Sequence, residues 1–203
     1  HKIIIKDIIL NHYPDLNKSR SNYLPLLEMS VKEDPNDDRN MHYLGREYMY
    51  HQKYNEAIDT LIKHLNLKTA TWKDERAASM RFIGRCYSNL ERYEEAILWY
   101  KKAIKEAPYL RDAYVELAIL YHKLNKNTKV IYYTNKALSI KNKNMTYINE
   151  IFSWDNTIYD IRSIAFYNMG KYKVSLKNIN IAISMDKTNE RLINNKKIIE
   201  RNI

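Results

Sequence analysis

Cysteine, glycine and proline are nearly missing from this chain, with one, three and four copies in 203 residues. A lone cysteine, Cys86, cannot close an internal disulfide, so nothing asks for an oxidising compartment and the cytoplasm is the expected location. So few glycines leave little material for tight hairpins or phosphate-cradling loops, and the composition favours helices throughout. Long apolar runs are missing too. The greasiest stretch, Ile3 to Leu10, is interrupted by Lys6 and Asp7 and falls far short of the roughly 20 residues a membrane span needs. No signal-peptide pattern follows His1, and the chain reads as a segment of a longer protein.

Catalytic signatures are equally scarce. There is no Gly-x-Ser-x-Gly elbow and no Cys-x-x-Cys pair. Asp34-Pro35-Asn36-Asp37-Asp38 begins like a calcium loop, but Arg39 and Gly45 stand where the loop needs glycine and glutamate. Helix capping by Asn36 or Asp37 explains the run better. The histidines (His1, His12, His42, His51, His64 and His122) never pair at helical spacing, which argues against a structural metal site. Cys86 sits among packing residues and reads as an inert core thiol. No cofactor is expected in this segment.

The formal charge of +10 is lopsided: residues 1–100 hold 15 Lys/Arg against 15 Asp/Glu, and residues 101–203 hold 19 against 9. A basic half attracts acidic partners, yet Lys and Asn richness also follows from the codon bias of an AT-rich genome. No interleaving of aromatic and basic residues supports a nucleic-acid groove.

What the chain does have is self-similarity. From Gly84 the series runs through Tyr87, Tyr93, Ala96, Ala103 and Pro108. Gly45 opens a parallel series with Tyr48, Tyr54 and Ala57, with His64 and Thr69 where a small residue and proline would fall. Ala118 opens another with Tyr121, Val130 and Ala137, and a weaker one passes through Ser163, Phe166, Tyr172, Ser175 and Ala182. These spacings match the tetratricopeptide repeat, a helix–turn–helix unit of about 34 residues. The expected fold is all-α: a right-handed solenoid of about four repeats plus capping helices. Small residues at Gly45, Gly84 and Ala118 let the second helix of each pair cross closely, and Tyr48, Tyr87 and Tyr121 fill the wedge beside them.

The expected boundaries are a strand-like remnant over residues 1–15, a capping helix within 16–37, four repeats over 38–189 and a closing helix over 190–203. The repeats fall near 38–71, 77–110, 111–144 and 156–189, and an insertion at 145–155 is too apolar for a solvated linker. It is expected to fold back onto the stack and cover one rim.

Several segments carry a further resemblance: His12-Tyr13-Pro14-Asp15, Tyr23-Leu24-Pro25-Leu26-Leu27-Glu28, Tyr43-Leu44-Gly45-Arg46-Glu47-Tyr48, Ala70-Thr71-Trp72-Lys73-Asp74-Glu75-Arg76 and Arg85-Cys86-Tyr87. Together they resemble the region after the catalytic domain in bacterial and viral family-two glycosyltransferases. The resemblance is strongest through Pro108, and thins where Asn142 and Lys187 replace the helix-ending proline and Arg162 an apolar residue. It implies a parent that uses a nucleotide-sugar and a divalent metal, with catalysis before His1 and this solenoid binding or orienting the acceptor. His12 lies near the boundary where such enzymes place a metal-ligating histidine.

A binding solenoid presents its concave face, formed by the first helix of each pair. Helical spacing puts Arg39, His42, Arg46 and Met49 on one such face, and Arg81 and Arg85 on the next. Arg46 and Arg85 each follow the packing glycine, so they should lie about 10 Å apart on adjacent helices. Guanidinium forks grip carboxylates and phosphates, which suits an acidic peptide or a sugar phosphate. Val115, Ile119, His122, Ile164 and Tyr167 continue the face in apolar form, and Tyr50 or Tyr167 could stack on a sugar. The competing reading pairs these arginines internally with Glu47, Glu75 or other carboxylates. Expected partners are a protein or peptide, acidic or carrying the acceptor, with a homodimer left open and no membrane span.

Overall fold

A computed structural model describes residues 23–143 and 146–203. The strand expected over residues 1–15 and His12 within it lie outside the described residues. Those described form ten α-helices and one 3-10 turn, with no strand. Four helix pairs run in order: α2 (Asp38–Tyr50) with α3 (Tyr54–Asn66), α4 (Lys73–Asn89) with α5 (Tyr93–Glu106), α6 (Asp112–Lys123) with α7 (Asn127–Ser139), and α8 (Thr157–Asn168) with α9 (Tyr172–Met185). Helix α1 (Tyr23–Glu33) precedes them and α10 (Glu190–Glu200) follows. Asp37 caps α2, its carboxylate accepting from the Asn40 amide at 2.9 Å, and Asn189 caps α10 in the same way.

One turn is repeated inside all four pairs. Residues Gln52, Glu91, Asn125 and Gly170 sit at φ of 60°, 60°, 55° and 70°. One residue later the amides of Lys53, Arg92, Lys126 and Lys171 reach back to the carbonyls of Tyr48, Tyr87, Tyr121 and Phe166, each at 2.9 Å. This is a left-handed helix cap with its 6→1 hydrogen bond, and three of the four repeats build it without glycine. Helices leaving such a turn are antiparallel, so each pair shows one apolar face to the next.

Two of the three glycines serve helix contact. A Cβ on Gly45 would lie 2.5 Å from Leu61 Cγ, and one on Gly84 would lie 2.8 Å from the Tyr100 ring. Helix α3 therefore lies against α2 at Gly45, and α5 against α4 at Gly84. Alanine at Gly45 gains about 1 kcal/mol of helix propensity, against an overpacking cost of roughly 1–3 kcal/mol. Urea denaturation should show Gly45→Ala destabilising in the native background and neutral or stabilising beside Leu61→Ala, where the obstructing side chain is gone. Equal destabilisation in both backgrounds would place the cause elsewhere.

The core is strung along the stack in separate clusters. One joins α2, α3 and α4 through Met49, Leu61, Ile83 and Cys86, another joins α5 to α8 through Tyr100, Leu117, Val130 and Ile161, and a third joins α9 to α10 through Ile179 and Leu192. Stability in such an array comes from neighbouring units. Arg162 fits because its guanidinium donates to Asn178 Oδ1 at 3.1 Å, Thr134 Oγ1 at 2.8 Å and Asn135 Oδ1 at 2.6 Å, tying α8 to α9 and α7.

Candidate functional site

The first helices α2, α4, α6 and α8 touch in succession and make one continuous face. Measured from the small packing residue of each repeat (Gly45, Gly84, Ala118), His42, Arg81 and Val115 are equivalent, as are Arg46, Arg85 and Ile119, and Arg39, Ala78 and Asp112. These positions present side chains to whatever lies across the face.

What lies across it is the chain's own insertion. Residues 146–156 leave the rim and run over α2, α4 and α6, turning once in the 3-10 segment Ile151–Ser153. Arg81 Nη2 donates to the Ile148 carbonyl at 2.7 Å, and the Glu150 amide donates to Asp112 Oδ1 at 2.7 Å. The Glu150 carboxylate accepts from Arg85, and the Tyr147 hydroxyl donates to Glu75. Ile148 is buried with the α2–α4 core, and the Tyr147 ring meets Tyr43 and Trp72 at 5.9 and 5.7 Å. Phe152 lies 5.6 Å from the Arg85 guanidinium. The expectation of a covered rim is thus replaced by a filled groove. At the neck, Arg111 donates to both the Ile140 and Ser153 carbonyls, with its guanidinium 3.6 Å above the Trp154 ring.

Charge explains the fit. Arg81 and Arg85, one turn apart on α4, converge on Glu116 of α6, which is 4% exposed. Burial alone would raise the Glu116 pKa, but the two guanidiniums overcome it and hold the carboxyl below its usual range. Desolvation pulls against the Arg85 cation, yet Glu116 and Glu150 raise its pKa. The stack itself supplies two cations and one carboxylate here, and Glu150 supplies the second carboxylate. The internal pairing weighed above therefore exists at Arg81 and Arg85, with Glu116 and Glu150 as partners; Glu47 instead lies 3.5 Å from His51.

A polar cluster closes the α2 end of the groove. Ser79 Oγ lies 2.7 Å from His42 Nδ1 and 2.9 Å from His64 Nδ1, and His64 Nε2 lies 3.5 Å from Glu75 Oε1. His64 stands where later repeats have a small residue, and the small Ser79 opposite gives its ring both room and a partner. Burial, with smaller repulsion from His64, Arg46 and Arg81, outweighs the pull of Glu75 and depresses the His42 pKa to about 3. Glu75 is held low by His64 and Tyr147 against the upward push of burial. Asp38, His64 and Glu75 offer donor atoms all within 4.8 Å of one another. Donors around tetrahedral zinc stand about 3.4 Å apart, and Glu75 is already engaged by Tyr147, so His64 is better matched as a partner of Glu75 than as a ligand.

The remaining residues nominated from the sequence are spread out. Arg39 is exposed. Arg46 is half-buried, 4.9 Å above the Tyr43 ring, with no carboxylate within ion-pair distance among the described residues. The guanidiniums that share partners are Arg81 and Arg85 on one helix, where the spacing argument paired Arg46 with Arg85. His122 is half-buried on α6. Tyr167, with Ile164, lines an open cleft of about 270 Å³ between α8 and α10, faced by Asn195 and Ile198. Cys86 is buried, its thiol pushed up to about 12, as an inert core thiol should be. Asp112, Glu116 and Glu150 had no place in the sequence reading; the only signal available was the placing of Asp112 and Glu116 on first-helix positions.

The comparisons agree with this architecture. The model of the tetratricopeptide repeat matches residues 77–110. A 131 kDa subunit of transcription factor tau from Saccharomyces cerevisiae is 38% identical over 74 residues, 36% of this chain, and the match spans 7% of that subunit. Among solved structures, MamA aligns with a TM-score of 0.66 at 21% identity over 89% of this chain and 99% of its own. The C-terminal part of a repeat protein from Cytophaga hutchinsonii gives 0.70 at 13% identity over 90% of this chain and 66% of that one. YrrB, a repeat protein with an unusual peptide-binding site, gives 0.62 at 12% identity over 86% and 81%. The chain folds as a tetratricopeptide-repeat helical solenoid.

Proposed function

We propose that this solenoid is a non-catalytic module that binds a protein partner through an acidic peptide laid across its first helices. The observation that carries the reading is the insertion itself: this face holds an irregular, turn-containing segment by one carbonyl, one amide and one carboxylate. The peptide-binding site of YrrB, on the same fold, is in keeping with it. Arg39 and Arg46, which pair with no carboxylate among the described residues, would extend the basic track toward α2.

A panel of fluorescein-labelled acidic decapeptides tests the reading by anisotropy. At least one should bind, and Arg39→Glu with Arg46→Glu should weaken it tenfold or more while the melting temperature stays within a few degrees. Binding indifferent to both reversals would move the site elsewhere.

For the parent protein we propose a nucleotide-sugar-dependent, metal-using glycosyltransferase, with the acceptor as the peptide's carrier. The support is the sequence resemblance quoted above; none of the names just given is that of such an enzyme. The alternative is a free-standing adaptor. The coding sequence before His1 decides: a strand-rich domain with an Asp-x-Asp motif supports the transferase, and a start codon immediately upstream refutes it.

A further inference from the structure

Residues 146–153 sit where the proposed partner peptide would sit, and they are bound as a ligand is bound. Of their backbone groups, the Ile148 carbonyl and the Glu150 amide hydrogen-bond to the groove-forming helices, and the Ser153 carbonyl accepts from Arg111 at the N-cap of α6. The rest of the hold is side chain: Tyr147 on Glu75, Asn149 on Asp112, Glu150 on Arg81 and Arg85, and Ile148 buried in the apolar cluster that holds Phe82. The segment's own backbone closes small turns, with the Asn149 amide donating to the Thr146 carbonyl at 3.2 Å and Ser153 to Glu150 at 3.1 Å, and it pairs with no helix in a ladder. Arg111 clasps Ile140 and Ser153 together, so the loop enters and leaves at one point. Ile151, at the turn, is 81% exposed, an apolar side chain left open by the described residues.

Lifting the tip would leave two desolvated guanidiniums facing one carboxylate, next to an apolar gap the size of an isoleucine. Such a site takes back one carboxylate and one aliphatic group. We infer that residues 146–153 are a built-in competitor for the peptide groove, and that the partner's peptide carries the pattern they carry: an aromatic residue, an aliphatic residue directly after it, and a glutamate two positions further on. The inference rests on the reading of the first-helix face as a peptide site. Because the competitor is tethered, its effective concentration is of millimolar order, so a free peptide binds the intact chain weakly and a chain without the competitor far better.

The test uses a fluorescein-labelled peptide with the sequence of Thr146–Trp154 and two proteins, the intact chain and one in which residues 146–152 are replaced by seven Gly/Ser residues. The replaced chain should bind at least tenfold more tightly, and glutamine for the peptide's glutamate should cost fivefold or more. A folded replacement that binds no better than the intact chain overturns the inference. Should the replacement fail to fold, amide hydrogen exchange on the intact chain decides: exchange at Glu150 at least 100-fold faster than at Leu117 supports an opening loop, and equal protection overturns it. The acidic panel separates this inference from the reading beneath it. Panel peptides that bind both proteins equally, through Arg39 and Arg46, sink the competitor alone; no binding to either protein sinks both.

Discussion

Glu116→Leu lowers the unfolding free energy by about 3–5 kcal/mol, the cost of breaking a buried ion pair by removing one partner. At this chain length that is a fall of roughly 10 °C in melting temperature. Glu116 is the one carboxylate the stack places between Arg81 and Arg85, and Arg81 is itself only 2% exposed. Without Glu116, both cations depend on Glu150. Adding Arg81→Met should recover most of the loss, because replacing the whole pair with apolar groups removes the desolvation penalty along with the attraction. Thermal and urea denaturation of the two single variants and the double variant check it; additive losses would show that the pair is not a unit.

Acid is the second large lever. The folded-state pKa of His42 is depressed to about 3, whereas an unfolded histidine titrates near 6.5. Between those values the unfolded chain binds the extra proton, so the contribution is fully present above about pH 6.5 and is lost as pH falls. By pH 4 the loss from His42 approaches about 3 kcal/mol. Glu75 and Glu116 act in the same direction in a lower window: their folded pKa values lie below the ordinary carboxylate range, so their contributions fade as pH drops through that range. The melting temperature should fall steeply from pH 7 to 4, and His42→Gln should flatten the part of the curve between 6.5 and 5. An unchanged slope in that variant would remove His42 from the explanation.

The repeats could be read from the sequence because the contacts that build them are local. Gly84 and Tyr87 belong to one helix, Tyr93 and Ala96 to the next, and the small-against-large pairing recurs at a fixed period. The turns at residues 50–53 and 88–92 could be placed from the sequence, but not their geometry: Gln52, Glu91 and Asn125 adopt the left-handed cap that glycine usually announces, while Gly45 and Gly84 are spent on helix contact. The groove's contents were hidden because they depend on distance in sequence. Arg85 and Glu150 are 65 positions apart, and Tyr147 and Glu75 are 72. The apolar character of 145–155 showed that it must pack, but its destination follows from Glu150 completing a charge cluster that exists only once α4 and α6 are side by side. The His42–Ser79–His64–Glu75 chain likewise draws on three helices.

The first-helix face is proposed as the binding face, with the chain's own segment lying across it. Hydrogen exchange on the Gly/Ser-replaced chain, with and without saturating Thr146–Trp154 peptide, tests it most directly. New protection should be confined to α2, α4 and α6, centred on Arg81, Arg85 and Asp112. Protection that falls instead on the second helices α3, α5 and α7 would contradict it.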